Sequence, residues 1–105
     1  MSWNVKEITG YEPKTTFWDD FTIAENFGRE EIENTASRAF EEWKDDYEFL
    51  TELIMVINHK SWEHSRDSLC DVYVDLFYEY DGRAINYLEE THNEEGLNYF
   101  FRTLD

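Results

Sequence analysis

Carboxylate side chains recur at every fourth position along one stretch of the sequence, in a spacing suited to binding a cationic surface. The stretch contains Asp67, Asp71, Asp75 and Glu79. On an α-helix these positions follow one face, with successive carboxylates about 6 Å apart along the axis. Like charges at this spacing destabilise a helix by ~0.2–0.5 kcal/mol per pair. No Lys or Arg follows at the i+4 position until Arg83, so we expect the row to be unpaired up to that point.

A second acidic group surrounds the predicted turn between two helices and contains Glu41, Asp45, Glu48 and Glu52. A regular row of carboxylates imitates a phosphate backbone, whose charge repeats every ~3.4 Å along each strand. One interpretation is therefore a nucleic-acid mimic that occupies the basic groove of a DNA-binding protein. The alternative is a solvated surface whose charge serves solubility. The sequence leaves both open.

Metal chemistry has weaker support in the sequence. Glu89 and His92 have the E-x-x-H spacing of di-iron helical bundles, but such a site needs the pair twice, and no second copy exists. His59 and Glu63 lie one helical turn apart and are better explained as an exposed surface pair. We therefore predict no bound metal and no cofactor.

Motifs for nucleophilic catalysis or phosphate binding are missing from the sequence. It contains no G-x-S-x-G, no Gly-rich phosphate loop and no H-E-x-x-H. Cys70 is the only cysteine, and the neighbouring Asp71 disfavours a reactive thiolate. We predict that the protein is not an enzyme.

The composition restricts the classes of partner. The chain of 105 residues has 25 Asp plus Glu against 9 Lys plus Arg, a net charge of −16. Aromatic residues are interleaved with the acids throughout, which predicts a folded acidic surface rather than a disordered tail. Such a surface repels nucleic acid and anionic membranes and attracts basic proteins. A single cysteine, no secretory signal pattern and no apolar run near the ~20 residues of a membrane span predict a cytoplasmic protein.

Hydrophobic periodicity predicts one all-α domain over residues 1–105, a bundle of four to five helices. The central helix is expected over Asp46–Ser65, because the run Leu53–Ile57 is apolar nearly all round. Before it we expect an irregular arm at residues 1–15, a helix capped by Thr15 or Thr16 that stops at Gly28, and a helix over Glu30–Lys44. After it we expect a helix over Leu69–Glu90, kinked or split at Gly82, and a short last helix capped by Asn93.

Tryptophans are candidates for a contact surface. Most aromatic residues are expected to fill the core, but Trp62 and Trp3 fall off the clear apolar stripes. Exposed aromatics commonly anchor protein interfaces. The second functional hypothesis is thus a structural or assembly protein that forms a homodimer through Trp62 and Trp3.

Between Thr15 and His64 the chain contains four distinctive segments: FWDDF, IAENFG, RAFEEW and LTELIMVINHK. With them this half of the chain resembles an uncharacterised family of small acidic proteins from conjugative and mobile elements of Gram-positive gut bacteria. The resemblance implies no catalytic residue. It implies a setting in which acidic proteins disarm restriction or CRISPR nucleases, or bind the transfer machinery of the element.

The sequence thus predicts a non-catalytic acidic protein that engages a basic protein, such as a nucleic-acid-binding enzyme, in an anti-restriction or anti-CRISPR role. The alternative is an accessory protein of a mobile element that self-associates through aromatic surface.

Overall fold

A computed structural model describes residues 16–104, and within this range the chain forms five α-helices and no strand. The helices are α1 (Phe17–Ala24), α2 (Arg29–Trp43), α3 (Tyr47–Glu63), α4 (Leu69–Glu90) and α5 (Glu94–Leu104). The predicted all-α class is therefore confirmed. The predictions for residues 1–15, including the position of Trp3, lie outside the described residues.

Helix α3 is the centre of the fold, as the sequence predicts. The whole run Leu53–Ile57 is buried, and α3 contacts each of the other four helices. The Asp46 side chain caps its first turn by accepting hydrogen bonds from the backbone N–H groups of Glu48 and Phe49. Buried residues from all five helices join in one hydrophobic cluster around α3.

Helices α1 and α2 form a hairpin that turns at Gly28. Gly28 has φ +102°, a left-handed backbone conformation that residues with a Cβ rarely adopt. Thr16 occupies the N-cap position of α1, but its hydroxyl donates to Asp20 Oδ2 at 3.0 Å instead of accepting from a backbone N–H group. Thr16 therefore lies at the predicted N-cap position, but its side chain does not form the hydrogen bond of an N-cap.

Helix α4 runs without a break from Leu69 to Glu90, so of the two alternatives expected at Gly82, a kink or a split, the split is wrong. Glycine costs a helix about 1 kcal/mol relative to alanine. Here Tyr80 and Ala84 flank Gly82 and are buried in the core. Packing of this face against the rest of the bundle outweighs the local propensity of one glycine.

The last connection is fixed by two residues between α4 and α5. His92 has φ 55° and ends α4, and Asn93 Oδ1 accepts from the backbone N–H of Gly96 at 2.8 Å. The predicted cap of the last helix by Asn93 is therefore confirmed. None of the five helices is long and apolar enough to cross a membrane.

Candidate functional site: the charged seam between α2 and α4

Helices α2 and α4 lie side by side and place carboxylates from both along one exposed seam. At one end, Arg29 on α2 binds Asp75 on α4 at 2.9 Å and Glu33 on its own helix at 3.0 Å. All three side chains are about half exposed or more. This contact corrects the expectation that Asp75 is unpaired, since the partner comes from a different helix.

The other end of the seam has the same arrangement around a second arginine. Arg83 on α4 lies 3.3 Å from Glu79 on its own helix and 3.7 Å from Glu41 on α2. Its guanidinium also lies over the rings of Phe40 and Tyr80, each at 4.7 Å. Arg83 thus brings together the two acidic groups that the sequence analysis treats separately.

The remaining predicted acids differ in their surroundings. Asp45 accepts a hydrogen bond from the Tyr87 hydroxyl, and Asp67 Oδ2 lies 2.9 Å from His64 Nδ1. Glu48 lies in the first turn of α3, whereas Glu52 on the same helix is buried and so is not part of an acidic surface. Asp71 is exposed and forms no ion pair with another residue of the described range.

The pairs along the seam set four carboxylates, those of Glu33, Glu41, Asp75 and Glu79, against the three cations Arg29, Lys44 and Arg83. Each seam arginine is shared between two carboxylates, and Lys44 takes Glu41 as its partner at 2.9 Å. With a net charge of −16, no internal arrangement can neutralise the chain. The seam is therefore a mixed-charge surface with a negative excess rather than a row of isolated carboxylates.

A buried polar cluster joins α1, α3 and α4, and nothing in the sequence analysis predicts it. Its centre is Oε2 of Glu25, which lies 3.1 Å from Lys60 Nζ, 3.0 Å from His64 Nε2 and 2.6 Å from the Tyr73 hydroxyl. Lys60 has no solvent exposure; it also donates to Thr22 Oγ1 at 2.6 Å and lies over the Trp18 ring at 4.4 Å.

The electrostatics of this cluster favour a charged His64. Burial alone lowers the pKa of the imidazole, but the hydrogen bond to Asp67 and the charge of Glu25 outweigh it, so the pKa is raised above 6.5. With a carboxylate at each ring nitrogen, only the doubly protonated ring donates to both. Burial, followed by the bond to Glu25, raises the pKa of the Tyr73 phenol far above its usual value and keeps it protonated. Donors from Lys60, His64 and Tyr73 therefore converge on one carboxylate oxygen of Glu25.

Exposed aromatic side chains occur at several separate positions. Trp62 on α3 is 58% exposed and makes an edge contact with His59. Tyr78 on α4 and Phe27 in the α1–α2 turn are each 73% exposed. Trp62 is thus available for contact with another protein.

An open groove of about 820 Å³ runs between α1 and α2 and ends near the start of α3. Its floor is apolar, and its sides carry charged residues from both helices. Helix α2 faces the groove on one side and the seam on the other. The buried stripe of α2 lies between these two sides. Helix α2 therefore separates two exposed surfaces.

Within residues 16–104, no three His, Cys, Asp or Glu side chains are placed to hold a metal ion. Comparison with protein families, curated proteins and solved structures found no match to this chain.

Proposed function

We propose that this protein is a non-catalytic acidic binding protein that uses the α2–α4 seam to engage a basic protein. The partner class is a protein with a cationic nucleic-acid-binding groove, such as a nuclease, which this chain occupies in place of nucleic acid. The observation that carries the proposal is the excess of carboxylates: the net charge of −16 leaves acids that no cation of the same chain can pair.

The arrangement of the seam supports this proposal. Acids from two helices are held at one surface by Arg29 and Arg83, so their positions are fixed before a partner arrives. A preorganised charged surface steers association and loses less entropy on binding than mobile side chains do. Asp71 supplies an exposed carboxylate beyond the end of the paired section.

The resemblance to mobile-element proteins adds a setting in which such a partner occurs. The test is a pull-down from a Gram-positive host that carries a conjugative element, washed at low and at high ionic strength. We expect capture of a nucleic-acid-binding protein at low salt alone, because Coulomb attraction between exposed charges is screened. We also expect this chain to compete with DNA for the captured protein.

A triple variant provides the matched comparison. Replacing Asp71 and Asp75 with Asn, and Glu79 with Gln, removes three charges and keeps the side-chain sizes. We expect this variant to lose capture. Capture that withstands high salt and survives the triple substitution, or a captured protein that still binds DNA fully, would contradict the proposal.

The alternative function is assembly through aromatic surface, and the exposure of Trp62 favours it. In this case the protein self-associates, and its charge serves solubility. Sedimentation would then give a dimer that persists at high salt and dissociates on Trp62→Ala or Trp3→Ala. A monomer under all conditions excludes this function.

A further inference from the structure

The groove between α1 and α2 has apolar side chains along its floor and at its α1 edge. Phe17 and Ala39 are buried at its floor, and the edge contact of Trp43 with Phe49 (ring centroids 4.5 Å apart) lies at one end. On the α1 side, Ile23 and Phe27 are 59% and 73% exposed although both are fully apolar. Exposed apolar side chains beside an apolar groove are typical of protein interaction surfaces.

Charged residues line both sides of this apolar floor. Asp20 lies on the α1 side, and Glu31 and Glu42 lie on the α2 side. Arg38 is the cation among the lining residues, and it is already bound to Glu31 at 2.9 Å. The rim therefore has a negative excess in the same sense as the whole chain.

We propose that this groove is the docking site for an amphipathic helix with apolar side chains on one face and Lys or Arg at its edges, supplied by a basic partner protein. A helix laid in an apolar groove uses anchors at i, i+3, i+4 and i+7, which fits an open channel alongside α1 and α2. The flanking cations of the helix meet the carboxylates of the rim. The inference rests on the proposed function, because it specifies how part of the basic partner is held.

The negative charge of the chain also disfavours a second copy of it as the occupant of the groove. Two copies that meet at this groove bring two acidic rims together, each on a chain of net charge −16. Like charges at an interface oppose association. A small apolar ligand fits the floor but leaves the rim acids without a role. A basic amphipathic helix matches both features.

The test uses a fluorescein-labelled Leu/Lys peptide of about five helical turns with its leucines on one face, measured by fluorescence anisotropy with the full chain. A peptide of the same composition in scrambled order reports binding by charge alone. We expect the amphipathic peptide to bind at least about tenfold more tightly than the scrambled peptide, a difference of ~1.4 kcal/mol. Phe27→Ala should remove most of that advantage.

Tyr78→Ala is the matched control, since Tyr78 has the same 73% exposure and lies on α4. We expect it to change the affinity less than about twofold, as for residues outside a hot spot. The double variant Asp20→Asn and Glu42→Gln should weaken binding and reduce its salt dependence.

Three results would overturn the docking site: equal binding of both peptides, equal loss from Phe27→Ala and Tyr78→Ala, or binding that appears only after deletion of residues 1–15. The last result assigns the groove to the chain's own N-terminal segment. None of them decides the proposed function, which depends on capture of a basic protein through Asp71, Asp75 and Glu79.

Discussion

The ammonium group of Lys60 lies 3.1 Å from Oε2 of Glu25, with the lysine side chain fully buried. These residues come from α3 and from the end of α1, so the contact ties the α1–α2 hairpin to the centre of the bundle. Glu63 is a second carboxylate near the same ammonium, at 3.3 Å. A buried ammonium group is stable only with its carboxylate partners, because without them the cost of removing its charge from water is not compensated.

We predict that Glu25→Ala destabilises the protein by about 3 kcal/mol, the lower end of the range for breaking a buried ion pair, since Glu63 still compensates Lys60 in part. Urea denaturation followed by circular dichroism measures this loss. Asp71→Asn, at an exposed position without an ion pair in the described range, is the control and should cause no loss. Equal stability of both variants would show that the buried pair contributes nothing.

Stability should depend on pH through two histidines with opposite shifts. The pKa of His64 is raised in the fold, so its contribution is complete below pH 6.5 and is lost as pH rises through the raised pKa. His59 is buried, which corrects the expectation of an exposed pair with Glu63. Its burial lowers the pKa, so its contribution is complete above pH 6.5 and is lost as pH falls. We expect the free energy of unfolding to peak near pH 6.5 on this account.

Substitution separates the two histidines. His64→Gln should flatten the decline of stability above pH 6.5, while the decline below it remains. His59→Gln should have the complementary effect: it should flatten the decline below pH 6.5, while the decline above it remains. A wild-type profile that rises steadily between pH 6.5 and 8.5 would contradict the assignment of a charged His64.

Gly82→Ala should stabilise the protein by about 1 kcal/mol, because alanine favours the helix and a Cβ at this position meets nothing within 4 Å. Gly96→Ala should have the opposite effect. A Cβ there comes within 2.9 Å of side-chain atoms of Asn93 and Leu88, which disturbs the cap and the core. Thermal melts of both variants measure the difference, and the same sign for both would show that the local space around the glycines does not govern the effect.

Arg29→Gln should strengthen binding of a basic partner about two- to fivefold at low salt, since the added negative charge of the seam outweighs the loss of the order that Arg29 gives to Asp75 and Glu33. Titration with the captured partner at several salt concentrations measures this change. The gain should fall as salt rises. A loss of affinity would mean that Arg29 itself contacts the partner.

Much of the fold follows from hydrophobic periodicity. The bounds Leu69–Glu90 predicted for the fourth helix coincide with α4, and the central position of α3 follows from the apolar run Leu53–Ile57. These predictions succeed because a helix with a buried side has apolar residues at regular helical spacing, which can be recognised in the sequence. The alternative of a split at Gly82 is wrong, because packing of the flanking turns outweighs the helix propensity of one glycine.

The side-chain partners were harder to predict than the helices. The ion pair between Arg29 and Asp75 joins residues 46 positions apart, so spacing along one helix cannot indicate it. Lys60 did leave a signal, because it lies three and four positions after the buried Ile57 and Val56. A lysine on an apolar stripe predicts a buried partner, but the sequence does not show that this partner is Glu25.

The three donors that converge on one oxygen of Glu25 have a kinetic consequence for the groove. Displacing the end of α1 from the bundle breaks hydrogen bonds to α3 and α4 in a single event. Backbone amides at the α1 wall should therefore exchange with deuterium far more slowly than an eight-residue surface helix ordinarily allows. Helix α1 then keeps its position in the unbound protein, so the groove proposed to bind a helix is already formed before binding.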